Sequence, residues 1–156
     1  MNQKIHQFDS RRNIVVPGNK ETTHQFCIDY FFEKAQEAIE NKGVFTVALS
    51  GGSTPKAIFS AFLKEENKKR IDWTKILFFW SDERSVPPSD PDSNYKMAMD
   101  AALAELPIPS DHIFRMPAES NQETTALEYE NLIKEKVPSS QFDLVMLGMG
   151  EDGHTA

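Results

Sequence analysis

At 156 residues, with 39% hydrophobic and 26% charged residues, the chain has the size and composition of one folded globular domain. Its formal net charge of −7 argues against nucleic acid or an anionic membrane as partner, since both recruit clustered Lys and Arg; the one dense basic run, Lys68-Lys69-Arg70, reads as a solvated helix end. No apolar run is long enough to span a bilayer, residues 1–12 show no leader pattern, and the single cysteine, Cys27, excludes an intrachain disulfide and points to a reducing, cytoplasmic compartment.

In chain order, Arg12 to Pro17 (RNIVVP) predicts a short strand stopped by proline. Glu21 to Asn41 predicts a long helix, with Phe26, Phe31, Phe32, Ala35, Ala38 and Ile39 on its inner side and Gly43 in the C-cap position. Val44 to Leu49 is a continuous apolar run, the pattern of a strand buried on both faces. Pro55 to Glu66 follows as a helix with Ile58, Ala61 and Phe62 inward. Lys75 to Trp80 (KILFFW) is a second buried strand, and SVPPSDPDSN after it is a loop by composition. A helix is expected over Asn94 to Leu106, with Met97, Ala101, Leu103 and Ala104 inward. Ile113-Phe114 reads as a brief strand. Thr124 to Val137 is expected as an amphipathic helix on Leu127, Leu132 and Ile133, stopped before Pro138. Phe142 to Leu147 reads as a third buried strand. His6, His24 and His112 lie in polar segments and are expected on the surface.

Buried strands alternating with helices predict an open, mostly parallel sheet with helices on both faces, a Rossmann-like α/β fold in a single domain over residues 1–156. Such sheets bind ligands beyond the carboxyl ends of their strands. Three polar segments occupy those ends: SGGSTP after Leu49, SDER after Trp80 and GMGEDGHTA after Leu147.

Each segment has a functional and a plain reading. In SGGSTPK, Gly51 and Gly52 permit a sharp bend, Ser53 or Thr54 is placed to cap the next helix, and the free amides there suit an anion. A simple strand-to-helix turn accounts for the same residues, and the Walker A spacing is missing. In SDER, Arg84 suits bidentate phosphate binding, while Asp82 or Glu83 suits a sugar hydroxyl or loop positioning. A local ion pair with capping is the alternative. In GMGEDGHTA, Gly148, Gly150 and Gly153 match G-x-G-x-x-G, but the match follows the last strand rather than opening the first unit, and it leaves Asp152 and His154 unexplained. Asp152 and His154 supply at most two metal ligands, too few for a site, so no metal is expected. A histidine among glycines at a strand end suits a general base.

Together, VALSGGSTP, SDERSVPPSDPDSN and FDLVMLGMGEDGHTA, in this order, closely resemble the 6-phosphogluconolactonases, over roughly Phe45 to Ala156. The wider superfamily holds the glucosamine-6-phosphate deaminases, which typically carry an aromatic residue where this chain has Arg84; Ser93-Asn94 also favours the lactonase. The resemblance implies hydrolysis of 6-phospho-glucono-1,5-lactone to 6-phosphogluconate, in the oxidative pentose phosphate pathway, without metal or organic cofactor. It implies that Ser50, Gly51, Gly52, Ser53 and Arg84 bind substrate, mainly its phosphate, and that His154 is catalytic with Asp152 beside it. A small phosphorylated lactone is the expected partner and a monomer the favoured state. A deaminase and a non-catalytic sugar-phosphate-binding fragment are the alternatives. The resemblance also implies a longer domain of about 250 residues, near the top of the ordinary range, so that the chain looks truncated at its C-terminus. On that expectation the missing part completes the site, the 156 residues alone have little activity, and the strands of Phe45, Phe78 and Leu144 expose apolar faces.

Overall fold

The computed structural model describes residues 5–155. The leader-free reading of residues 1–12 reaches outside that span at its first four positions, and the last loop does so at Ala156. The chain opens with a small antiparallel hairpin, β1 (Ile5–Gln7) with β2 (Asn13–Val15). Helix α1 (Lys20–Lys42) follows; the Asn19 side chain accepts from the Thr22 amide at its start, and Gly43 closes it at φ 80°. Strand β3 (Phe45–Leu49) leads into α2 (Ser53–Phe62) and the short α3 (Glu65–Lys68). Strand β4 (Ile76–Trp80), α4 (Asn94–Ala101), α5 (Gln122–Lys136) and β5 (Leu144–Val145) complete the order.

The main sheet is parallel, in the order β4-β3-β5, with Val47 opposite both Phe78 and Leu144. Alternation along its strands builds two cores. Phe45, Val47, Leu49, Ile76, Phe78 and Trp80 pack with residues of α1, α2 and α4 on one side. Phe31 of α1 meets the Phe45 ring edge-on at 5.4 Å, the preferred aromatic geometry. Ala48 and Phe79 face the other way, towards Tyr129 of α5 and Val137. Helices therefore cover both faces, as the strand pattern predicts. No helix among the described residues is long and apolar enough to cross a membrane.

Several elements differ from the sequence expectation. The helix expected from Pro55 to Glu66 breaks at Lys64, which is extended; the buried Asn67 donates its side-chain amide to the Ala61 carbonyl at 2.8 Å and closes the end of α2. The helix from Asn94 stops at Ala101, a 3₁₀ turn follows, and Ala104 is exposed while Ala98 and Ala102 are buried. Ile113 makes only a single bridge to Phe78. On α5, Leu127 is 62% exposed and Thr125 and Tyr129 carry the burial. At 100° per residue Leu127 lies about 160° around the helix from Tyr129, so both cannot face the sheet. Tyr129 wins because its hydroxyl links two segments, accepting from the Trp80 amide and donating to the Phe114 carbonyl, both at 2.9 Å. Burial pushes the pKa of that phenol up, which keeps it a neutral donor.

The third strand is the largest difference. Only Leu144 and Val145 form β5, and Val145 and Leu147 are 46% and 56% exposed. It is an edge strand, paired only to β3 among the described residues. Of the three strands expected to expose apolar faces, that of Leu144 does so, at Val145 and Leu147, while Phe45 and Phe78 are fully buried. Arg70 is not a solvated helix end: its guanidinium pairs with Asp29 at 2.7 Å and lies 4.3 Å over the Phe32 ring. His6 is exposed, but His24 and His112 are half-buried; His112 sits in the turn that feeds Ile113 to the sheet.

Candidate active site

The three polar segments at the strand ends meet in one open cleft of about 210 Å³, lined by Ser50, Gly51, Gly52, Asp82, Arg84, Gly148, Met149, Gly150 and His154. Of the residues singled out from sequence, Ser50, Gly51, Gly52, Arg84 and His154 come together there. Ser53 and Asp152 are not among the lining residues.

The first wall is the bend between β3 and α2. Gly52 is the N-cap of α2, at φ 102°, a conformation in which a β-carbon is strained. No side chain caps the helix, so the expected capping by Ser53 or Thr54 does not occur; both sit inside the first turn. The amides at this ten-residue helix start therefore lack a side-chain cap, and the positive end of its dipole adjoins the cleft. Ser50 is 7% exposed, and its hydroxyl donates to the Gly51 carbonyl at 3.5 Å.

The second wall divides its charges. Glu83 accepts from the amides of Asn94 (2.7 Å) and Tyr95 (2.9 Å), from the Ser93 hydroxyl (3.0 Å) and from its own neighbour's amide, Arg84 (2.7 Å). It thus anchors the start of α4 and has no capacity left for a ligand. Asp82 lines the cleft and accepts from Asn94 Nδ2 at 3.0 Å and Ser81 Oγ at 3.2 Å. Arg84 is exposed, and its guanidinium has no partner among the described residues. Asn94 is 4% exposed and packs against Gly51 so closely that a β-carbon there would overlap its carboxamide.

The third wall is a turn closed on itself. The Gly150 amide donates to the His154 carbonyl and the Gly153 amide to the Gly150 carbonyl, each at 2.9 Å, with Gly153 at φ 88°. This brings the imidazole back over Gly150, where a β-carbon would overlap the ring. Nδ1 of His154 lies against Oδ1 of Asp152. The imidazole beside it, then the His154 backbone amide, hold the Asp152 carboxyl below its ordinary value of 3.8. The glycines of this turn are thus explained by the chain's own contacts rather than by a dinucleotide. No group of three or more His, Cys, Asp or Glu able to hold a metal ion occurs among the described residues.

Residues 18–156 match the family model described as glucosamine-6-phosphate isomerases/6-phosphogluconolactonase. The chain belongs to this family. Within it, the chain is 46% identical over 121 residues to a 6-phosphogluconolactonase of Chlamydia pneumoniae, covering 78% of the chain and 45% of that protein. It is 43% identical over 147 residues to one of Chlamydia muridarum, covering 94% and 56%. Among solved structures, the 6-phosphogluconolactonase of Thermotoga maritima superposes with a TM-score of 0.76 at 31% identity, over 85% of this chain and 58% of that one. A monomeric glucosamine-6-phosphate deaminase gives the same TM-score at 19% identity, which reflects the fold alone. The chain spans about half the length of the curated relatives it matches.

Three features of this cleft were not legible in the sequence. Met149, with an exposed side chain, lies in the polar segment GMGEDGHTA, where nothing local marks it as a lining residue. Asp82 and Glu83 look interchangeable until their partners are known. Asn94 reads as a helix start, and only its packing on Gly51 reveals a second contact.

Proposed function

We propose that the cleft hydrolyses 6-phospho-glucono-1,5-lactone to 6-phosphogluconate. One observation carries the reading: an uncapped helix start, an arginine without a partner among the described residues and a carboxylate-linked imidazole line or adjoin the same 210 Å³ space. The chlamydial and Thermotoga relatives, which are 6-phosphogluconolactonases, support it.

In this mechanism the phosphate dianion is held by Arg84 and the bend of Ser50, Gly51, Gly52 and Ser53. Arginine provides two parallel N–H donors to phosphate oxygens, and the helix start adds amide donors and dipole. Asp152 takes the Nδ1 proton of His154 in a hydrogen bond, which leaves Nε2 as the basic nitrogen. Nε2 removes a proton from water as the water oxygen bonds to the lactone carbonyl carbon. The carbonyl electrons move to its oxygen. When the tetrahedral intermediate collapses, the bond from carbon to ring oxygen breaks, and the imidazolium returns its proton to that oxygen. The Gly150 and Gly153 amides are engaged within the turn, so oxyanion donors come from other amides of the cleft, worth about 3 kcal/mol each where aligned. A lactone is an activated ester, so one positioned base, contributing about 10²–10⁴-fold, suffices. No cofactor takes part.

The lone Cys27 supports a reducing compartment, the cytoplasm. The test is acid release from the phospholactone above its spontaneous rate, beside ammonia release from glucosamine 6-phosphate, with the protein as its gene encodes it. Hydrolysis that disappears in His154→Ala is expected. Ammonia release without lactone hydrolysis would overturn the reading.

A further inference from the structure

One buried polar group outside the proposed chemistry is the Asn94 carboxamide. It is 4% exposed, although an amide buried without a purpose is unfavourable. It is not needed to start α4. Ser93 Oγ accepts from the Lys96 amide at 3.1 Å, and Glu83 takes the amides of Asn94 and Tyr95. The carboxamide instead reaches across to the second wall. Nδ2 donates to the Asp82 carbonyl at 3.2 Å and to the Asp82 carboxylate at 3.0 Å. Its opposite side lies on Gly51, where any β-carbon would overlap Oδ1. One side chain therefore touches two of the three loops.

We infer that Asn94 is a positioning residue: it fixes the separation between the Gly51–Gly52 bend and the Asp82–Arg84 segment, and so sets the phosphate cradle before substrate arrives. This rests on the phosphosugar reading of the cleft. Glycine at position 51 is then required for a reason apart from backbone freedom, because only a hydrogen there leaves room for the wedge. Preorganisation of this kind raises affinity by removing the need to order two loops on binding. Asn94 is not catalytic; its contacts lie on the anchoring side of the cleft, and His154 is not among them.

The test uses the protein as its gene encodes it and compares phospholactone with unphosphorylated glucono-1,5-lactone. Asn94→Ser removes both bonds to Asp82; Asn94→Asp keeps the shape but turns an oxygen towards the Asp82 oxygens. Either variant is expected to raise KM for the phospholactone about tenfold, the effect of one hydrogen bond to a charged group, with kcat within about threefold. The unphosphorylated lactone, which cannot use the cradle, should keep its kcat/KM. Equal losses on both lactones, or an unchanged KM, would overturn the inference. A second route does not depend on how well either single variant folds. Gly51→Ala should weaken binding of 6-phosphogluconate, measured by titration calorimetry, and weaken it much less when combined with Asn94→Ala, which removes the carboxamide atoms that a β-carbon at position 51 would overlap; additive effects would count against the wedge. If the parent protein hydrolyses neither lactone, the lactonase reading fails, and the 6-phosphogluconate titrations still decide the role of Asn94. No binding by the parent protein would overturn both.

Discussion

His154 and Asp152 are joined through imidazole Nδ1 and carboxylate Oδ1 across a single intervening glycine. Both side chains are mostly exposed, at 69% and 76%, so the pair is held by the turn rather than by burial. Its value is tautomeric: with the proton on Nδ1, the lone pair is on Nε2.

This predicts a graded response to substitution. Asp152→Asn retains an acceptor but loses the charge that favours an imidazolium, and kcat should fall about tenfold with KM little changed. Steady-state kinetics on the phospholactone decide this; an unchanged kcat would remove Asp152 from the mechanism.

The carboxyl of Asp152 also sets a pH expectation. Its folded pKa lies below the ordinary 3.8 because of the His154 contact. A depressed carboxylate contributes to the folded turn fully above 3.8, and that contribution is lost as pH falls below 3.8 through the lower folded value. Activity lost on acidification above 3.8 thus does not come from protonation of Asp152. Carboxyl chemical shifts followed by NMR should show Asp152 titrating below 3.8; a midpoint at or above 3.8 contradicts the contact.

Arg84 and Glu83 are adjacent charges with opposite expectations. Arg84 is exposed and without a partner among the described residues, so Arg84→Ala should leave the melting temperature unchanged while raising KM about 10- to 100-fold. Arg84→Lys should recover only part, because a point charge lacks the two-pronged donor. Glu83→Gln loses acceptors for the start of α4, and should destabilise the protein by about 1–3 kcal/mol in urea unfolding. If both substitutions affected stability alike, the division of roles would fail.

How much of this could be read in advance depended on what the residues announce. Val44 to Leu49, interrupted only by Thr46, and Ile76 to Trp80 are apolar runs of strand length, the pattern of strands covered on both faces, so the central strands were legible. Phe142 to Leu147 has a similar composition, and it does supply a parallel strand on β3; with β3 its only partner among the described residues, Val145 and Leu147 are left exposed, as expected for the Leu144 strand. Leu127 was misplaced because apolarity was weighed above helical phase, while Tyr129 hid its structural bonds behind a polar label. The meeting of the three loops followed from the rule that parallel sheets present their loops at one edge. The Asn94 wedge did not, since no local pattern encodes a contact made 43 positions away, on Gly51.

The strand that carries the His154 turn depends on one further anchor. Asp143 Oδ2 accepts from both the amide and the hydroxyl of Thr46, each at 2.8 Å, and Thr46 is fully buried. The Asp143 amide returns a bond to the Thr46 carbonyl at 3.0 Å, and Lys42 pairs with Oδ1 at 2.7 Å. These contacts fix the register of β5 on β3 at its first residues, where the ladder itself is only two residues long. Asp143→Ala strands a buried amide and hydroxyl and should cost about 2–3 kcal/mol, whereas Lys42→Ala removes a half-exposed ion pair and should cost less than about 1 kcal/mol. Hydrogen exchange locates the effect. With the anchor gone, the Met146 amide, bonded to the Ala48 carbonyl at 2.8 Å, should lose protection before the β3–β4 amides do. Uniform loss across the sheet would mean that Asp143 supports the whole fold rather than the strand beneath the His154 turn.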